Sequence, residues 1–353
     1  MKVLFRLDAS KKIGYGHLFR SIAIANFFKK KEVLFLINNH ENTSKKILKK
    51  KKINFRTIST PKIKKFEQIQ KKSDQIIDAQ KTINIANSEN IEFIILDDYH
   101  KDQIWHKEIK KKKIKLCVID DLCNKEFYCD LYINFNNTIY QINKKKINNN
   151  CKILCGHQYN PFLLKKFDRT FSKNKNRIHL CISSSINKNF LNKILKALNS
   201  IWIKKKILIV NVFSVNYNFS KLKKNIYKNL KLKFYVNSNN YFKNIKNSDL
   251  GIGFSGMSMF DRISYLLPSI NFSTSKNQTT SLNDKFINKF FYPAKINNYS
   301  YPQIKLKLQY FLNNIKIRSA IYKNCNKLKK KNNILLKKKI VKFINEFKST
   351  RHS

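Results

Sequence analysis

The sequence predicts an α/β protein built from two parallel-sheet domains, and three observations support this. Short apolar runs alternate with helix-like segments along most of the chain, which is typical of strands covered by helices on both faces. A polar, lysine-rich stretch from Pro161 to Asn176 interrupts the alternation, and a second series follows it. The chain has 353 residues, a length that suggests two domains of ordinary size. We expect one domain at residues 1–160, a second at 175–320, a cleft between them, and a lysine-rich helix and tail at 321–353.

In the first domain, several strands should end in acidic residues. The expected strands are Val3–Leu7, Val33–Ile37, Phe93–Leu96, Leu116–Ile119 and Leu131–Ile133. The expected helices are His17–Phe28, Ser44–Lys50, Asp74–Ala86 and Gln103–Lys110. Asp8, Asp97 and Asp120 each follow a strand directly. Because ligands of open α/β sheets bind beyond the carboxyl ends of the strands, these acids should lie near a binding site. Helix capping by Asp is the alternative.

The second domain repeats the alternation. The expected strands are Ile178–Ile182, Ile207–Phe213, Leu232–Val236, Leu250–Ile252 and Ser269–Phe272. The expected helices are Phe190–Leu198, Leu222–Leu230, Met257–Leu266 and Leu282–Phe290. From Cys325 to Phe347, apolar residues at helical spacing predict an amphipathic helix that packs on the body of the protein. A helix on a membrane surface is the less favoured alternative.

The net charge of +52 comes almost entirely from lysine, because the chain has only eight arginines. Lysine accompanies abundant Asn, Ile, Phe and Tyr, a composition that an A+T-rich coding genome would produce. Base reading and stacking favour arginine. We therefore expect no specific nucleic-acid partner, and only weak RNA adhesion at low salt.

The sequence carries no signal for secretion, membrane insertion or metal binding. Charge interrupts the N-terminal segment too early for a signal peptide, and no stretch approaches 18 uncharged apolar residues. The seven cysteines include no C-x-x-C pair. These features predict a protein of the reducing cytoplasm, with no membrane span, metal or cofactor.

All six glycines lie in three short groups, whereas average usage would give about 25. The glycines are Gly14, Gly16, Gly156, Gly251, Gly253 and Gly256. Glycine is needed where a side chain cannot fit, so the groups mark candidate places where the backbone meets a ligand. Ordinary turns at strand ends are the alternative.

The first candidate site combines Arg6, Asp8, Gly14, Gly16 and His17. A strand ends at Asp8, the two glycines follow, and a helix opens at His17. Backbone N–H groups and a helix N-terminus favour an anion at such a loop. The same helix end disfavours an imidazolium, which makes His17 a candidate general base, and a simple helix cap is the alternative.

The second candidate site is a strand-to-helix turn that could hold a diphosphate. Its residues are Ser255, Gly256 and Met257. Asp261, one helical turn later, could accept a hydrogen bond from a ribose hydroxyl. Asn277 and Gln278 follow another strand and could bind a sugar or its acetamido group, or only cap a helix.

In order and spacing, a series of motifs resembles one family. The motifs are Arg6-x-Asp8, Ile13-Gly-x-Gly-His-x-x-Arg20, Leu96-Asp-Asp-Tyr99, Val118-Ile-Asp-Asp-Leu122, Cys129-Asp-Leu131, Leu154-Cys-Gly-His-Gln-Tyr159, Leu163-Leu164, Ser248-Asp-Leu-Gly-Ile-Gly-Phe-Ser-Gly256 and Asn277-Gln278. Over about its first 290 residues the chain resembles the UDP-2,4-diacetamido-2,4,6-trideoxy-β-L-altropyranose hydrolases of pseudaminic acid biosynthesis. The motifs of the second half are shared more widely with glycosyltransferases of the GT-B architecture, which has two Rossmann-like domains.

The resemblance implies a cytoplasmic enzyme of GT-B-like fold that releases UDP from a sugar. Water attacks the anomeric carbon with inversion, and no metal takes part. His17 matches the catalytic histidine of the family and Tyr99 its active-site tyrosine, while Asn277 and Gln278 match its substrate-contacting amides.

Two positions depart from the family pattern. Asp261 stands where the family usually has Glu, and Ser183–Ser185 stand where it has a Gly-Gly pair. Serine Cβ atoms restrict the backbone approach that glycine allows. Two alternative functions stay open: a GT-B glycosyltransferase that uses a hydroxyl acceptor in place of water, and a non-catalytic lysine-rich protein that binds nucleic acid or a membrane surface.

Overall fold

The structure is a computed structural model, and it divides the chain into two compact units. It describes residues 2–10, 13–61, 68–135, 141–161, 167–182, 188–201, 207–215, 217–220, 227–273, 282–283, 286–295, 300–331 and 335–349. Unit 1 comprises Met1–Pro161 and Ile334–Ser353, and unit 2 comprises Phe162–Asn333. Each unit is a parallel-sheet α/β domain, so the predicted fold class is confirmed.

Unit 1 contains a seven-stranded parallel sheet with the order β3-β2-β1-β4-β5-β6-β7. Its strands are β1 (Lys2–Leu7), β2 (Val33–Asn38), β3 (Phe55–Ile58), β4 (Ile91–Asp97), β5 (Lys115–Ile119), β6 (Leu131–Asn134) and β7 (Lys152–Cys155). Its helices before the boundary are α1 (Gly16–Ala25), α2 (Asn42–Lys50), α3 (Lys72–Ser88) and α4 (Gln103–Lys111). The strand order reverses between β1 and β4, which is where open α/β sheets bind ligands.

The strands β1 and β2 of unit 1 are mostly apolar, with four and five apolar residues out of six, because both faces of the sheet are covered. Phe5 of β1 and Phe35 of β2 are paired in register, and their rings stack with centroids 5.0 Å apart. Burying one such side chain stabilises the fold by about 1.5–3 kcal/mol. These continuous apolar runs are the sequence signal by which the strands could be predicted.

Unit 2 has a six-stranded parallel sheet with the order β10-β9-β8-β11-β12-β13. Its strands are β8 (Arg177–Cys181), β9 (Leu208–Ser214), β10 (Leu230–Val236), β11 (Leu250–Phe254), β12 (Ser269–Phe272) and β13 (Tyr292–Pro293). Its helices include α5 (Lys188–Ile201), α6 (Tyr241–Asn247), α7 (Met257–Ser264), α8 (Tyr301–Asn313) and α9 (Ile315–Lys331). Counted from the first strand of the unit, this is the 3-2-1-4-5-6 order of a Rossmann-like sheet.

The C-terminal segment differs from the expected single tail at residues 321–353. Helix α9 runs through residue 320 and belongs to unit 2, whereas α10 (Leu335–Ser349) belongs to unit 1. The amphipathic packing of α10 is confirmed, since Ile340 is buried and the rings of Phe343 and Phe93 lie 6.1 Å apart. The expected boundary therefore falls inside a helix, because one lysine-rich composition covers both α9 and α10.

Other differences concern short or half-exposed elements. The sequence pattern does not predict strands β3, β7 and β13, because each is short and partly exposed, whereas the equally short β6 and β12 are fully buried. The predicted helix at Leu222–Leu230 is wrong at its end, where residues 227–229 are not helical and Leu230 begins β10. Residues 222–226 lie outside the described chain. In the predicted helix at Leu282–Phe290, residues 287–289 form a 3-10 turn.

Candidate active site

The loop between β1 and α1 carries the first candidate site. Gly14 has a φ of +93°, a left-handed value that glycine adopts without strain. Its N–H donates to the carbonyl of Ser10 over 2.7 Å, and this tight turn leads to Gly16, where α1 begins. His17 therefore lies in the first turn of α1, where it is 5% exposed.

His17 is held by Asp97, the last residue of β4. The Nδ1 atom of His17 lies 2.5 Å from Oδ1 of Asp97. Arg20 donates from Nε to Oδ2 of the same carboxylate over 2.8 Å and from Nη2 to Oδ1 over 2.5 Å. Because His17 and Arg20 are three residues apart on a helix, they share one face and both reach the strand end.

These contacts hold Asp97 as a carboxylate and so fix the proton of His17. Burial disfavours the charge, but the charge of the Arg20 guanidinium and the hydrogen bonds from Arg20 and His17 outweigh it and lower the pKa of Asp97 below its usual value. A carboxylate can only accept, so Nδ1 of His17 carries a proton, and in the neutral form of the ring the lone pair is on Nε2. The Nε2 atom has no hydrogen-bond partner among the described residues. His17 is therefore oriented as a proton acceptor.

Tyr99 packs against the same histidine. The two rings meet edge to face, with centroids 4.4 Å apart. The Tyr99 hydroxyl donates to Oδ2 of Asp121 over 2.6 Å, and Nη1 of Arg20 donates to the same oxygen. Burial and the charge of Asp121 raise the pKa of Tyr99 well above its usual value, so the hydroxyl keeps its proton. Arg20 thus joins the His17–Asp97 pair to the Tyr99–Asp121 pair.

Arg6 and Asp8 are brought together, but inside a buried ion cluster. Arg6 lies 2.6 Å from Asp8 and 2.5 Å from Asp78, and Nζ of Lys101 is 3.6 Å from Asp78. Every nitrogen of the Arg6 guanidinium is bonded within the described chain. Removing one member of such a cluster leaves a buried charge unpaired, at a cost of about 3–5 kcal/mol. These contacts favour a positioning role for Arg6 over contact with a substrate.

Glu41 fixes the backbone immediately after Asp8. Its Oε1 accepts the N–H of Ala9 over 2.8 Å, and the hydroxyl of Ser44 donates to the Ala9 carbonyl over 2.9 Å. Burial and the charge of Asp8 raise the pKa of Glu41 to about 9. A protonated Glu41 therefore supports the start of the loop that ends at His17.

Lys125 contacts the backbone of Tyr99. Its ammonium donates to the Tyr99 carbonyl over 2.8 Å. Burial lowers the pKa of Lys125, although Asp120 and Asp98 oppose this effect. Tyr99 is consequently held both at its backbone and at its hydroxyl.

In unit 2, a buried arginine explains two of the glycines. Arg262 donates from Nη2 to the Phe254 carbonyl over 3.1 Å and to Oδ1 of Asn271 over 2.5 Å. A Cβ atom at Gly253 would lie 2.6 Å from Nη1 of Arg262, and one at Gly251 would lie 2.6 Å from its Cδ. Gly251 and Gly253 therefore make room for a side chain of the protein rather than for a ligand.

The turn between β11 and α7 keeps the features of an anion site. Gly256 is the N-cap of α7, so no side chain caps the N–H groups that begin at Met257. The hydroxyl oxygen of Ser255 is buried and has no hydrogen-bond partner in the described part of the chain. A ligand oxygen would satisfy both groups.

The remaining predicted site residues of unit 2 are Asp261, Asn277 and Gln278. Asp261 lies in α7, and its Oδ2 accepts a hydrogen bond from the Tyr241 hydroxyl over 3.2 Å. Asn277, Gln278 and Ser183–Ser185 lie outside the described residues.

Within the described ranges, no group of three or more His, Cys, Asp or Glu side chains could hold a metal ion. Of the helices that the structure describes, none is long and apolar enough to cross a membrane.

Sequence reasoning did not assign roles to three residues of this site: Asp97, Arg20 and Asp121. Asp97 and Asp121 lie at strand ends, which was the available signal. Nothing local could pair Arg20 with acids 77 and 101 positions away in the sequence.

Comparison with known proteins gives no assigned family. No protein-family model matches the chain. An uncharacterized protein of Methanocaldococcus jannaschii is 26% identical over 294 residues, which cover 76% of this chain and 55% of the relative. The chain thus spans about half the length of the curated relative that it matches.

Solved structures match nearly the whole chain at low identity. MurG of Acinetobacter baumannii has a TM-score of 0.63 at 11% identity and covers 98% of this chain and 100% of its own. MnaA of S. aureus, solved with UDP, has a TM-score of 0.62 at 9% identity, covering 99% and 97%. HepE of Anabaena, also solved with UDP, has a TM-score of 0.59 at 13% identity, covering 98% and 100%. At these identities the likeness shows the fold, which is the GT-B architecture of two successive Rossmann-like units.

Proposed function

We propose that the chain hydrolyses a UDP-linked diacetamido-trideoxy sugar in pseudaminic acid biosynthesis, releasing UDP and the free sugar with inversion. The observation that carries this proposal is the His17–Asp97 pair, which leaves Nε2 of His17 as a proton acceptor at the carboxyl edge of the unit 1 sheet. The motif resemblance supplies the sugar and the inverting, metal-independent course of the reaction.

In this mechanism a water molecule attacks the anomeric carbon while His17 takes one of its protons at Nε2. The bond between the anomeric carbon and the phosphate oxygen breaks, and its electron pair leaves with UDP. The sugar keeps the hydroxyl of the water, and His17 returns its proton to solvent. Because UDP is already a good leaving group, one base and well-placed anion contacts suffice, without the two carboxylates of ordinary glycosidases.

We assign the nucleotide to the turn of unit 2 that includes Ser255, Gly256 and Met257. The uncapped start of α7 and the unpartnered Ser255 hydroxyl support this assignment. Two proteins of the same fold, MnaA and HepE, are solved with UDP. Asp261, Asn277 and Gln278 are proposed to contact the nucleotide and the sugar, as the resemblance implies.

NMR of the UDP-sugar incubated with the protein in ¹⁸O water tests the reaction. We expect free sugar of inverted anomeric configuration, with the label in the sugar and none in UDP. Label in UDP would place the attack on phosphorus instead, and an unchanged UDP-sugar would contradict the hydrolase assignment.

A glycosyltransferase is the second candidate, because the fold is shared with MurG and other nucleotide-sugar proteins. Both reactions need a base at His17, but a transferase takes its proton from a hydroxyl acceptor. UDP release from the UDP-sugar alone separates them: a hydrolase turns over without an acceptor, whereas a transferase releases little UDP until one is added.

A further inference from the structure

Asp121 follows the carboxyl end of β5, and one of its oxygens has no hydrogen-bond partner in the part of the chain that the structure describes. Its side chain is 5% exposed. Its Oδ2 accepts hydrogen bonds from the Tyr99 hydroxyl and from Arg20. Its Oδ1 is shielded from solvent and has no hydrogen-bond partner among the residues that the structure describes. A carboxylate oxygen in this state costs folding free energy until a donor reaches it.

The neighbouring Asp120 differs from Asp121 in that it binds backbone N–H groups. Its Oδ2 accepts the backbone N–H groups of Leu122 and Cys123 over 2.9 and 2.7 Å, which closes the turn after β5. Its Oδ1 also lacks a hydrogen bond within the described residues, but the Lys125 ammonium lies 3.9 Å from it, whereas no cation is paired with Oδ1 of Asp121 there. Asp121 accepts no backbone N–H in the described chain, and its partners are two side chains of the candidate site. Asp121 therefore faces the site, whereas Asp120 holds the loop.

The charge of Asp121 limits what the missing donor can be. Arg20 already supplies a cation to Oδ2, and a carboxylate repels the diphosphate of a nucleotide. A neutral N–H or O–H group fits an oxygen that needs one donor and no further charge. Tyr99, bonded to Asp121, packs on His17, so this oxygen belongs to the same edge as the proposed base.

We propose that Oδ1 of Asp121 is a specificity-determining atom, which accepts a hydrogen bond from a hydroxyl or acetamido N–H of the sugar in the UDP-sugar that the proposed function assigns. Asp121 then discriminates sugars by whether they carry a donor at one position. Loss of that donor leaves the oxygen unpaired, which is the condition under which a site rejects a ligand strongly.

Asp121→Asn is the most direct test, because an amide keeps one oxygen of the carboxylate and replaces the other with an NH₂ group. Its oxygen can still accept from Tyr99 and Arg20, while its NH₂ replaces the unpartnered oxygen with a donor. We expect the Kd and KM for the UDP-diacetamido sugar to rise about 10- to 100-fold, with the affinity for UDP alone unchanged. Tyr99→Phe is the matched control, because it removes the bond to Oδ2 and leaves Oδ1 intact.

Analogues of the UDP-sugar that each lack one donor complete the test. The wild type should bind one of these analogues at least about tenfold more weakly than it binds the full UDP-sugar. Asp121→Asn should bind that analogue and the full UDP-sugar with equal affinity. Tyr99→Phe should still discriminate that analogue. If Asp121→Asn fails to fold, as shown by circular dichroism, the affinities of the wild type for the analogues decide alone. Equal affinity for every analogue then overturns the inference.

The outcomes separate this inference from the proposed function. A wild type that releases UDP while Asp121→Asn keeps its affinity for the sugar would overturn the role of Asp121 only. A wild type that binds the UDP-sugar without hydrolysing it would overturn the function, and the binding series would still support or overturn the role of Asp121. Absence of UDP-sugar binding by the wild type would overturn both.

Discussion

Replacement of His17 by Ala tests the proposed base directly. General-base catalysis contributes about 10²- to 10⁴-fold, which is about 3–5 kcal/mol at 1.36 kcal/mol for each factor of ten. The fold should survive, because Asp97 keeps two hydrogen bonds from Arg20 at 2.8 and 2.5 Å. The lost contact to His17 should lower the free energy of unfolding by about 1.5–3 kcal/mol. We therefore expect a folded protein whose kcat falls at least about 100-fold.

The assay is UDP release in a coupled reaction, with UDP affinity measured by calorimetry on the same preparation. UDP affinity should stay at the wild-type value, because the nucleotide contacts are assigned to unit 2. His40→Ala is the matched control, since His40 is exposed on the loop before α2 and should leave turnover unchanged. Wild-type turnover in His17→Ala would remove His17 from the mechanism.

Three further predictions concern stability and charge. Gly253→Ala should lower the free energy of unfolding by about 1–3 kcal/mol in a urea titration, because its Cβ would lie 2.6 Å from the buried guanidinium of Arg262; an unchanged value would contradict this packing. Glu41→Gln should raise Tm at about pH 8 and hardly change it at about pH 4. The pKa of Glu41 rises from about 4.3 in the unfolded chain to about 9 in the folded protein, so Glu41 makes the folded protein less stable as the pH increases through this range, and Gln removes that penalty. An equal shift at both pH values would count against the buried neutral Glu41. Changing the exposed lysines 111–113 to Gln should weaken RNA adhesion and leave hydrolysis intact, and tight, sequence-selective RNA binding at physiological salt would instead favour the binding-protein alternative.

The central strands could be predicted because burial on both faces leaves a continuous apolar run, as in β1 and β2. The edge strands β3 and β13 could not be predicted, because they are short and partly exposed. Their pairing with β2 and β12 identifies them as strands, and their amino-acid composition does not. The end of the helix predicted at Leu222–Leu230 was wrong for a related reason. Leu230 alternates with polar residues of β10, and only the pairing with β9 shows that it belongs to a strand.

Part of the candidate site could be predicted, because glycines, a histidine and strand-end acids are local signals. Gly14 needs its left-handed turn, and His17 follows it at the start of a helix. The contact between His17 and Tyr99 could not be predicted, because it depends on β1 and β4 being neighbours in the sheet. The sequence likewise indicated that a side chain would not fit at Gly253, but it could not show that the neighbouring group is the guanidinium of Arg262 rather than a ligand.

Arginine marks the constrained positions of this chain more directly than glycine does. The sequence has eight arginines among 73 basic residues, and the structure buries Arg6, Arg20, Arg262 and Arg318. Arg6 and Arg20 each bond two carboxylates at once, and Arg262 bonds a backbone carbonyl and an amide oxygen. A planar fork with five donors can do this, whereas the single ammonium of lysine acts as a point charge. In a composition that favours lysine elsewhere, a buried arginine therefore indicates a place where the directions of several hydrogen bonds matter, and Arg20 lies at such a place beside the proposed base.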